Sequence, residues 1–209
     1  MTTFSLKPHK GILKRVLWLY GLHALLSNST YLIGYYLLPE GLLRGSPQVA
    51  VGHLVASATS FWSEFALTLL FNLGLATVIS VLMNLQQVKG FPVGYLMPII
   101  LGITGGLISG TNSFAASDLT RYNARDGMAL GLSIGGVEML GYILIIASTV
   151  KLGVYQCRSW WRWGGKWKPT KTMNLRDVRL ARSEVICLVI GILLVIFAAC
   201  RETLMAMSS

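Results

Sequence analysis

Charged residues are scarce in this chain of 209 residues: only 12% are Asp, Glu, Lys or Arg, whereas 54% are hydrophobic. A soluble domain of ordinary composition carries about a quarter charged residues. So few charged residues cannot form a polar shell around the apolar surface of such a chain. Lipid must therefore cover most of that surface. The composition therefore excludes an ordinary soluble domain and predicts an integral membrane protein.

Motifs of catalysis and metal binding are also scarce. The sequence contains no H-E-x-x-H zinc motif and no nucleotide-binding loop, so we expect a protein that is not an enzyme. Its three cysteines, Cys157, Cys187 and Cys200, have no C-x-x-C spacing and fall in segments expected at different membrane depths. This pattern indicates neither a disulfide framework nor a metal site, and we expect no cofactor.

Long apolar stretches, by contrast, occur five times along the chain. Each is long enough for a hydrocarbon core of about 30 Å, which takes about 20 helical residues. None alternates like a barrel strand, so each is predicted to be a helix that satisfies its own backbone. The stretches cover residues 14 to 38, 62 to 85, 92 to 112, 128 to 150 and 184 to 206. The predicted fold is all-α, a polytopic helical bundle forming one membrane-embedded domain over residues 1 to 209.

Basic residues are distributed unequally between the segments that connect these spans. If the N-terminus is cytoplasmic, 14 of the 18 lysines and arginines lie on the cytoplasmic side. Cytoplasmic segments of membrane proteins are enriched in Lys and Arg. The sequence thus predicts a cytoplasmic N-terminus, a cytoplasmic loop from 151 to 183 and an external C-terminus. An anionic leaflet accounts for the net charge of +10, and no recognition motif points to nucleic acid.

The predicted cytoplasmic loop from 151 to 183 interleaves tryptophans with basic residues. Trp prefers the headgroup layer and cations prefer lipid phosphates, so we expect an interfacial collar that contacts anionic lipids. Docking of a protein partner through the indoles is the alternative. The collar residues are Trp160, Trp161, Trp163 and Trp167 with Arg158 and Arg162.

Small residues recur four apart in the third and fourth predicted spans. Gly106 and Gly110 form a G-x-x-x-G pair, and Gly127, Gly131 and Gly135 continue the spacing in the next span. Stripes of small residues let helices approach closely in membranes. We therefore expect spans three and four to pack tightly together, with a glycine-lined pore as the alternative.

Glu138 lies in the middle of the fourth predicted span, 11 residues after Gly127, or about 16 Å of helix rise. Ionisable groups inside a membrane cost several kcal/mol and mark functional or assembly sites. Two interpretations stay open: a hydrogen bond to Asn72 or His23, or a place on an ion or proton path. Glu64 and the pair Arg201 and Glu202 lie near outer span ends, where headgroups and water are within reach.

Four sequence segments spread over about 150 residues carry a family resemblance: "LLFNLGLA", "GLISGTN", "IGGVEMLGYILIIASTVKLG" and "FAACRETLMA". Together they resemble the stage II sporulation protein M family of small prokaryotic membrane proteins. The family's H-G-x-x-E motif is matched at Gly135 and Glu138, whereas Ile134 stands in place of the histidine. Asn72 and Glu202 match the family's span-two asparagine and late glutamate.

This resemblance implies a multi-pass accessory subunit in the cell membrane of a prokaryote. The sporulation member of the family is a membrane subunit of a complex that remodels the cell wall around the forespore. We therefore expect a non-enzymatic integral membrane subunit that scaffolds or anchors a larger complex, with other membrane subunits as partners. The alternative is a small transporter or channel with Glu138 lining its path, against which the lack of a visible inverted repeat counts.

Overall fold

The computed structural model of the protein describes residues 11 to 115, 123 to 157 and 169 to 207. Over these residues the chain is mostly helical, which confirms the predicted class. The helices are α1 (Ile12–Leu37), α2 (Pro47–Ala56), α3 (Phe61–Leu69), α4 (Val78–Met83), α5 (Leu96–Gly110), α6 (Ala124–Ser148) and α7 (Arg182–Met207). A π-helical segment, Leu70–Thr77, joins α3 to α4, and 3₁₀ turns occur at Val93–Tyr95, Val150–Leu152 and Leu175–Asp177.

Three helical stretches among the described residues are long and apolar enough to cross a membrane. They are Phe61–Met83, Val93–Gly110 and Arg182–Met207, with mean hydropathies of 2.2, 1.6 and 2.7. These stretches correspond to the second, third and fifth predicted spans. The protein is therefore a helical protein with the features of a membrane protein, in agreement with its composition.

Helix α6 is the centre of the bundle. Its C-terminal half is buried on almost every side, with Ile143, Ile146 and Ala147 fully covered. Val16 of α1 and Val195 of α7 belong to the same hydrophobic cluster. A helix that is apolar all round lies in a protein core or crosses a membrane. Here α1 and α7 pack along α6, and α5 packs along α1.

A small four-stranded sheet caps one end of the bundle, and the sequence did not predict it. Its strands are β1 (Gln86–Val88), β2 (Phe91–Pro92), β3 (Tyr155–Cys157) and β4 (Thr170–Lys171), in the order β2-β1-β3-β4. Strands β1 and β3 are parallel, and the other two pairs are antiparallel. Strands of two or three residues are too short for a visible alternation in the sequence.

The turn between β1 and β2 explains where this sheet begins. Lys89 and Gly90 both have positive φ, 52° and 81°, as a two-residue hairpin turn of type I′ requires. Gly90 adopts this conformation without steric cost because it has no Cβ.

The sheet brings the connections between several helices to one end of the bundle. β1 follows α4, β3 follows α6, and the parallel pairing of Gln87 with Gln156 joins the two connections. Arg15 near the start of α1 bonds Glu184 near the start of α7. We call this the sheet end of the bundle; the helices run alternately towards it and away from it.

The connection between the first two predicted spans, residues 39 to 60, is partly helical. It contains α2, which begins with Pro47 after a Ser46 side chain that accepts the Val49 backbone N–H. The collar lies outside the described residues: Trp160, Trp161, Trp163, Trp167, Arg158 and Arg162.

Candidate functional site

The helix Phe61–Met83 buries polar side chains and exposes apolar ones. On its inner face Glu64, Thr68, Thr77 and Ser80 are buried, and Asn84 follows them just past the end of α4. Its outer face exposes Trp62, Leu70, Leu75, Val78, Ile79 and Leu82. This arrangement is the reverse of that of a helix on the surface of a soluble protein. It is the arrangement expected of a helix whose outer face meets lipid or the apolar surface of another membrane protein.

The π-helical segment Leu70–Thr77 is what makes this inner face continuous. An α-helix turns by about 100° per residue, whereas the wider π-helix turns by less. Over eight residues this difference accumulates and rotates one end of the helix relative to the other. In an uninterrupted α-helix, Glu64 and Thr68 would lie opposite Thr77 and Ser80. The π segment turns both pairs towards α6 and α7, and we call the resulting row of buried polar residues the polar seam.

Most polar groups of the seam are hydrogen-bonded within the protein. The hydroxyl groups of Thr68, Thr77 and Ser80 donate to carbonyl oxygens of their own helix at 2.9, 2.8 and 2.7 Å. The Asn84 amide donates across the bundle to the Ile146 carbonyl at 2.9 Å and the Thr149 hydroxyl at 2.8 Å. Because these donors have partners within the protein, their burial leaves none of them unsatisfied.

Glu138 faces the interior from α6, and its hydrogen bond differs from the two that we expected. The Tyr142 hydroxyl, one helical turn further along α6, donates to Glu138 Oε1 at 2.7 Å. The expected partners Asn72 and His23 were therefore wrong. Glu202 on α7 lies close enough to Glu138 and Tyr142 for their charges to interact. Two carboxyl groups from neighbouring helices thus lie in the same region of the bundle as one tyrosine.

The other polar residues singled out in the sequence are distributed around the bundle. His23 Nδ1 donates to the Pro98 carbonyl at 2.8 Å and joins α1 to α5. Asn72 lies half-buried in the π segment, where its backbone carbonyl accepts the Thr77 hydroxyl. Glu64 is buried inside the bundle, so the expectation that headgroups and water surround it was wrong.

The glycines of α5 pack against α1, and not against the next span as we expected. A Cβ on Gly106 would collide with the Ser27 carbonyl and the Thr30 hydroxyl, and one on Gly110 would collide with the Tyr31 carbonyl. Of the predicted stripe in α6, a Cβ on Gly127 would collide with the Tyr31 hydroxyl, whereas a Cβ on Gly131 or Gly135 would have nothing within 4 Å.

Helices α6 and α7 approach each other at a different pair of glycines. A Cβ on Gly191 would lie 2.8 Å from the Gly141 carbonyl oxygen, and one on Gly141 would lie 2.9 Å from the Gly191 carbonyl oxygen. Gly191 follows no four-residue glycine spacing in α7, which is why sequence reasoning missed it.

A buried ion pair at the sheet end was also missed. Arg15 Nη2 lies 2.8 Å from Glu184 Oε1, and the two side chains are only 5% and 3% exposed. Arg15 Nη1 donates to the Ala147 carbonyl at 2.7 Å, and the partly exposed Lys151 lies 2.9 Å from Glu184 Oε2. The pair joins α1, the end of α6 and the start of α7. No local pattern reveals it, because Arg15 and Glu184 are 169 residues apart.

Residues 131 to 135 read G-L-S-I-G, the spacing of a hydrolase nucleophile elbow. They lie within the helix α6, whereas such an elbow is a sharp turn from a strand into a helix.

Burial raises the pKa of the Cys157 thiol, which disfavours the reactive thiolate. Among the described residues, no three His, Cys, Asp or Glu side chains are grouped to hold a metal ion.

Over the residues that the structure describes, the fold and these contacts define a mostly helical protein with three helices able to cross a membrane and with a polar seam inside its bundle. No family model matches this chain, and neither a curated protein nor a solved structure matches it.

Proposed function

We propose that five helices cross the cell membrane of a prokaryote: α1, Phe61–Met83, Val93–Gly110, α6 and α7. The sheet end and the N-terminus are cytoplasmic in this proposal, and the C-terminus is external. The distribution of basic residues supports it. The sheet end carries Lys14, Arg15, Lys89, Lys151, Lys171, Arg176, Arg179 and Arg182, and the opposite end carries Arg44, Arg125 and Arg201.

Labelling of introduced cysteines tests this orientation. Ser57 and Met173 are exposed at opposite ends of the bundle, and each is replaced by Cys in a variant without Cys157, Cys187 and Cys200. A membrane-impermeant maleimide should label Ser57→Cys on intact cells and Met173→Cys only after permeabilisation. The variant without cysteines is the control, and the opposite labelling pattern would refute the orientation.

For the function, we propose a non-enzymatic integral membrane subunit that scaffolds or anchors a larger membrane protein complex. The outer face of Phe61–Met83 carries this proposal. Only 17% of this span is buried within the protein, against 39% of Val93–Gly110 and 28% of Arg182–Met207. Phe61, Trp62 and Phe65 form an aromatic cluster at its outer end, and Trp62 is 75% exposed. A helix held by so few contacts presents a broad side surface to helices of other subunits.

The hydrogen bonds inside the bundle agree with a structural role for the polar seam. Hydroxyl groups that bond their own backbone present a small, satisfied surface for helix packing. The resemblance to the stage II sporulation protein M family, which implies an accessory subunit, agrees with this proposal as well. The partners would be other membrane subunits and the surrounding lipids.

The electrostatic proximity of Glu138 on α6 and Glu202 on α7 favours a second candidate function, a small transporter or channel. Carboxyl groups inside a membrane recur on ion pathways and proton relays. In this alternative Glu138 and Glu202 lie on a path for a proton or a cation, and the Tyr142 hydroxyl is hydrogen-bonded to Glu138. Assembly of several copies would supply further helices.

Glu138→Gln separates the two candidates. Gln keeps nearly the same volume and still accepts the Tyr142 hydroxyl, so a structural Glu138 predicts normal recovery of the complex after detergent extraction and a wild-type phenotype. Glu138→Leu should assemble less well, because the buried Tyr142 hydroxyl then loses its partner at a cost of about 1–3 kcal/mol. A Gln variant that assembles normally but behaves like a deletion would establish the transporter instead.

The same recovery assay tests the outer face of Phe61–Met83. Trp62→Ala should reduce recovery of the complex strongly, because large exposed aromatic side chains dominate interfaces. The matched control is Leu193→Ala on α7, whose side chain is 58% exposed on another helix and should contact lipid. Equal recovery of the two variants would contradict the scaffold proposal.

A further inference from the structure

A cleft of about 610 Å³ opens at the sheet end, between the sheet and the segment that leads into α7. Its volume falls within the range of small-molecule sites. Apolar and charged side chains both line it, namely Leu85, Val154, Tyr155, Lys171, Leu175 and Arg176. Asn174 and Asp177 complete the lining.

The cleft lies at the level where the membrane-crossing helices end. Leu85 follows the span Phe61–Met83 by two residues, and the segment that contains Leu175 continues into the span Arg182–Met207. Of the residues that line it, Tyr155 and Leu175 expose 40% and 57% of their surfaces. Apolar and aromatic side chains beside basic ones at a helix end are typical of the headgroup layer.

The charges of the cleft select for an anion. Lys171 and Arg176 bring two positive charges to its lining, whereas the one carboxylate, Asp177, accepts a hydrogen bond from the Asn174 amide at 3.2 Å. A guanidinium group binds phosphate oxygens through two parallel hydrogen bonds, and an ammonium group adds a compact charge. Leu85, Val154 and Leu175 supply apolar surface for the part of a ligand that carries no charge.

We propose that this cleft binds the phosphate headgroup of an anionic phospholipid of the cytoplasmic leaflet. The phosphate lies between Lys171 and Arg176, the glycerol contacts Leu175 and Val154, and the acyl chains continue into the bilayer. A lipid is a better match than a soluble anion, because the cleft combines its charges with apolar side chains at the end of two spans. The choice of the cytoplasmic leaflet rests on the proposed orientation, whereas the binding chemistry does not depend on it.

Lipid titration of the full chain in a neutral detergent tests the site. Native mass spectrometry should show phosphatidylglycerol bound more tightly than phosphatidylcholine, and added salt should weaken the binding. Replacing Lys171 and Arg176 together by Ala should weaken phosphatidylglycerol binding by about tenfold, because charge-assisted hydrogen bonds to phosphate are lost. The matched control is Arg179→Ala, an exposed residue of the same segment outside the cleft, which should bind like the wild type.

Three results would overturn this site. They are equal binding of the two lipids, unchanged binding in the double variant, and binding of soluble glycerol phosphate as tight as that of phosphatidylglycerol. If the double variant does not fold, Lys171→Gln and Arg176→Gln should each show a smaller loss. The measurement in detergent does not depend on orientation or on recovery of a complex, so failure of this site and failure of the proposed function are distinguishable.

Discussion

Replacing Arg15 by alanine should lower the free energy of unfolding by about 3–5 kcal/mol, the range for breaking a buried ion pair by removing one partner. Glu184 would keep only the partly exposed Lys151 as a charged partner, and the Ala147 carbonyl would lose its side-chain donor. Because the pair connects α1, α6 and α7, its loss should loosen the whole sheet end. Unfolding in mixed micelles of a mild detergent and dodecyl sulfate measures the change.

Two further variants show whether the effect belongs to the ion pair. Lys14→Ala removes a neighbouring charge that is exposed, and surface substitutions of this kind stay within about 0.5 kcal/mol. Arg15→Lys keeps the charge but cannot bond Glu184 and the Ala147 carbonyl through one planar group, so we expect an intermediate loss. Equal stability of Lys14→Ala and Arg15→Ala would show that the pair does not stabilise the bundle.

Replacing Gly106 by alanine should separate α1 from α5 and destabilise the protein by about 1–3 kcal/mol, as overpacking does in well-packed cores. The added Cβ would collide with the Ser27 backbone carbonyl and the Thr30 hydroxyl. Backbone atoms cannot rotate out of the way, so α1 itself must move. The same unfolding assay measures the loss, and Gly106→Val should lose more.

The adjacent glycine provides a matched control. Gly105 belongs to the same helix, and a Cβ on it would have nothing within 4 Å. Gly105→Ala should therefore be neutral or stabilising by up to about 1 kcal/mol, because Ala favours a helix over Gly. If Gly105→Ala and Gly106→Ala were equally stable, the close contact between α1 and α5 would be refuted.

Composition and apolar length determined the class of this protein. Water cannot solvate so much apolar surface, and a helix is the way a single segment satisfies its backbone in lipid. For that reason the predicted stretches 62 to 85, 92 to 112 and 184 to 206 agree with Phe61–Met83, Val93–Gly110 and Arg182–Met207. Glu138 was also recognisable, since a carboxylate in an apolar run needs no structure to be noticed.

Only the tertiary structure decided which of these groups meet. A glycine spacing shows that another helix can approach closely, but it does not show which helix. The order and rotation of the helices place α1 against Gly106. Tyr142 stands four residues after Glu138, a spacing that predicts contact on a helix, yet only the packing of α6 with α7 brings Glu202 near them.

The π segment and the buried ion pair are the two features that could least be predicted from the sequence. The π-helical segment Leu70–Thr77 brings Glu64 and Ser80 to the same face of the helix. It depends on backbone hydrogen bonds that no residue pattern in this sequence predicts. Arg15 and Glu184 are brought together by the packing of three helices. Local sequence patterns determine where the helices form and which residues each one carries. Contacts between distant residues exist only once all the helices have packed, and that packing determines the partner of each polar group.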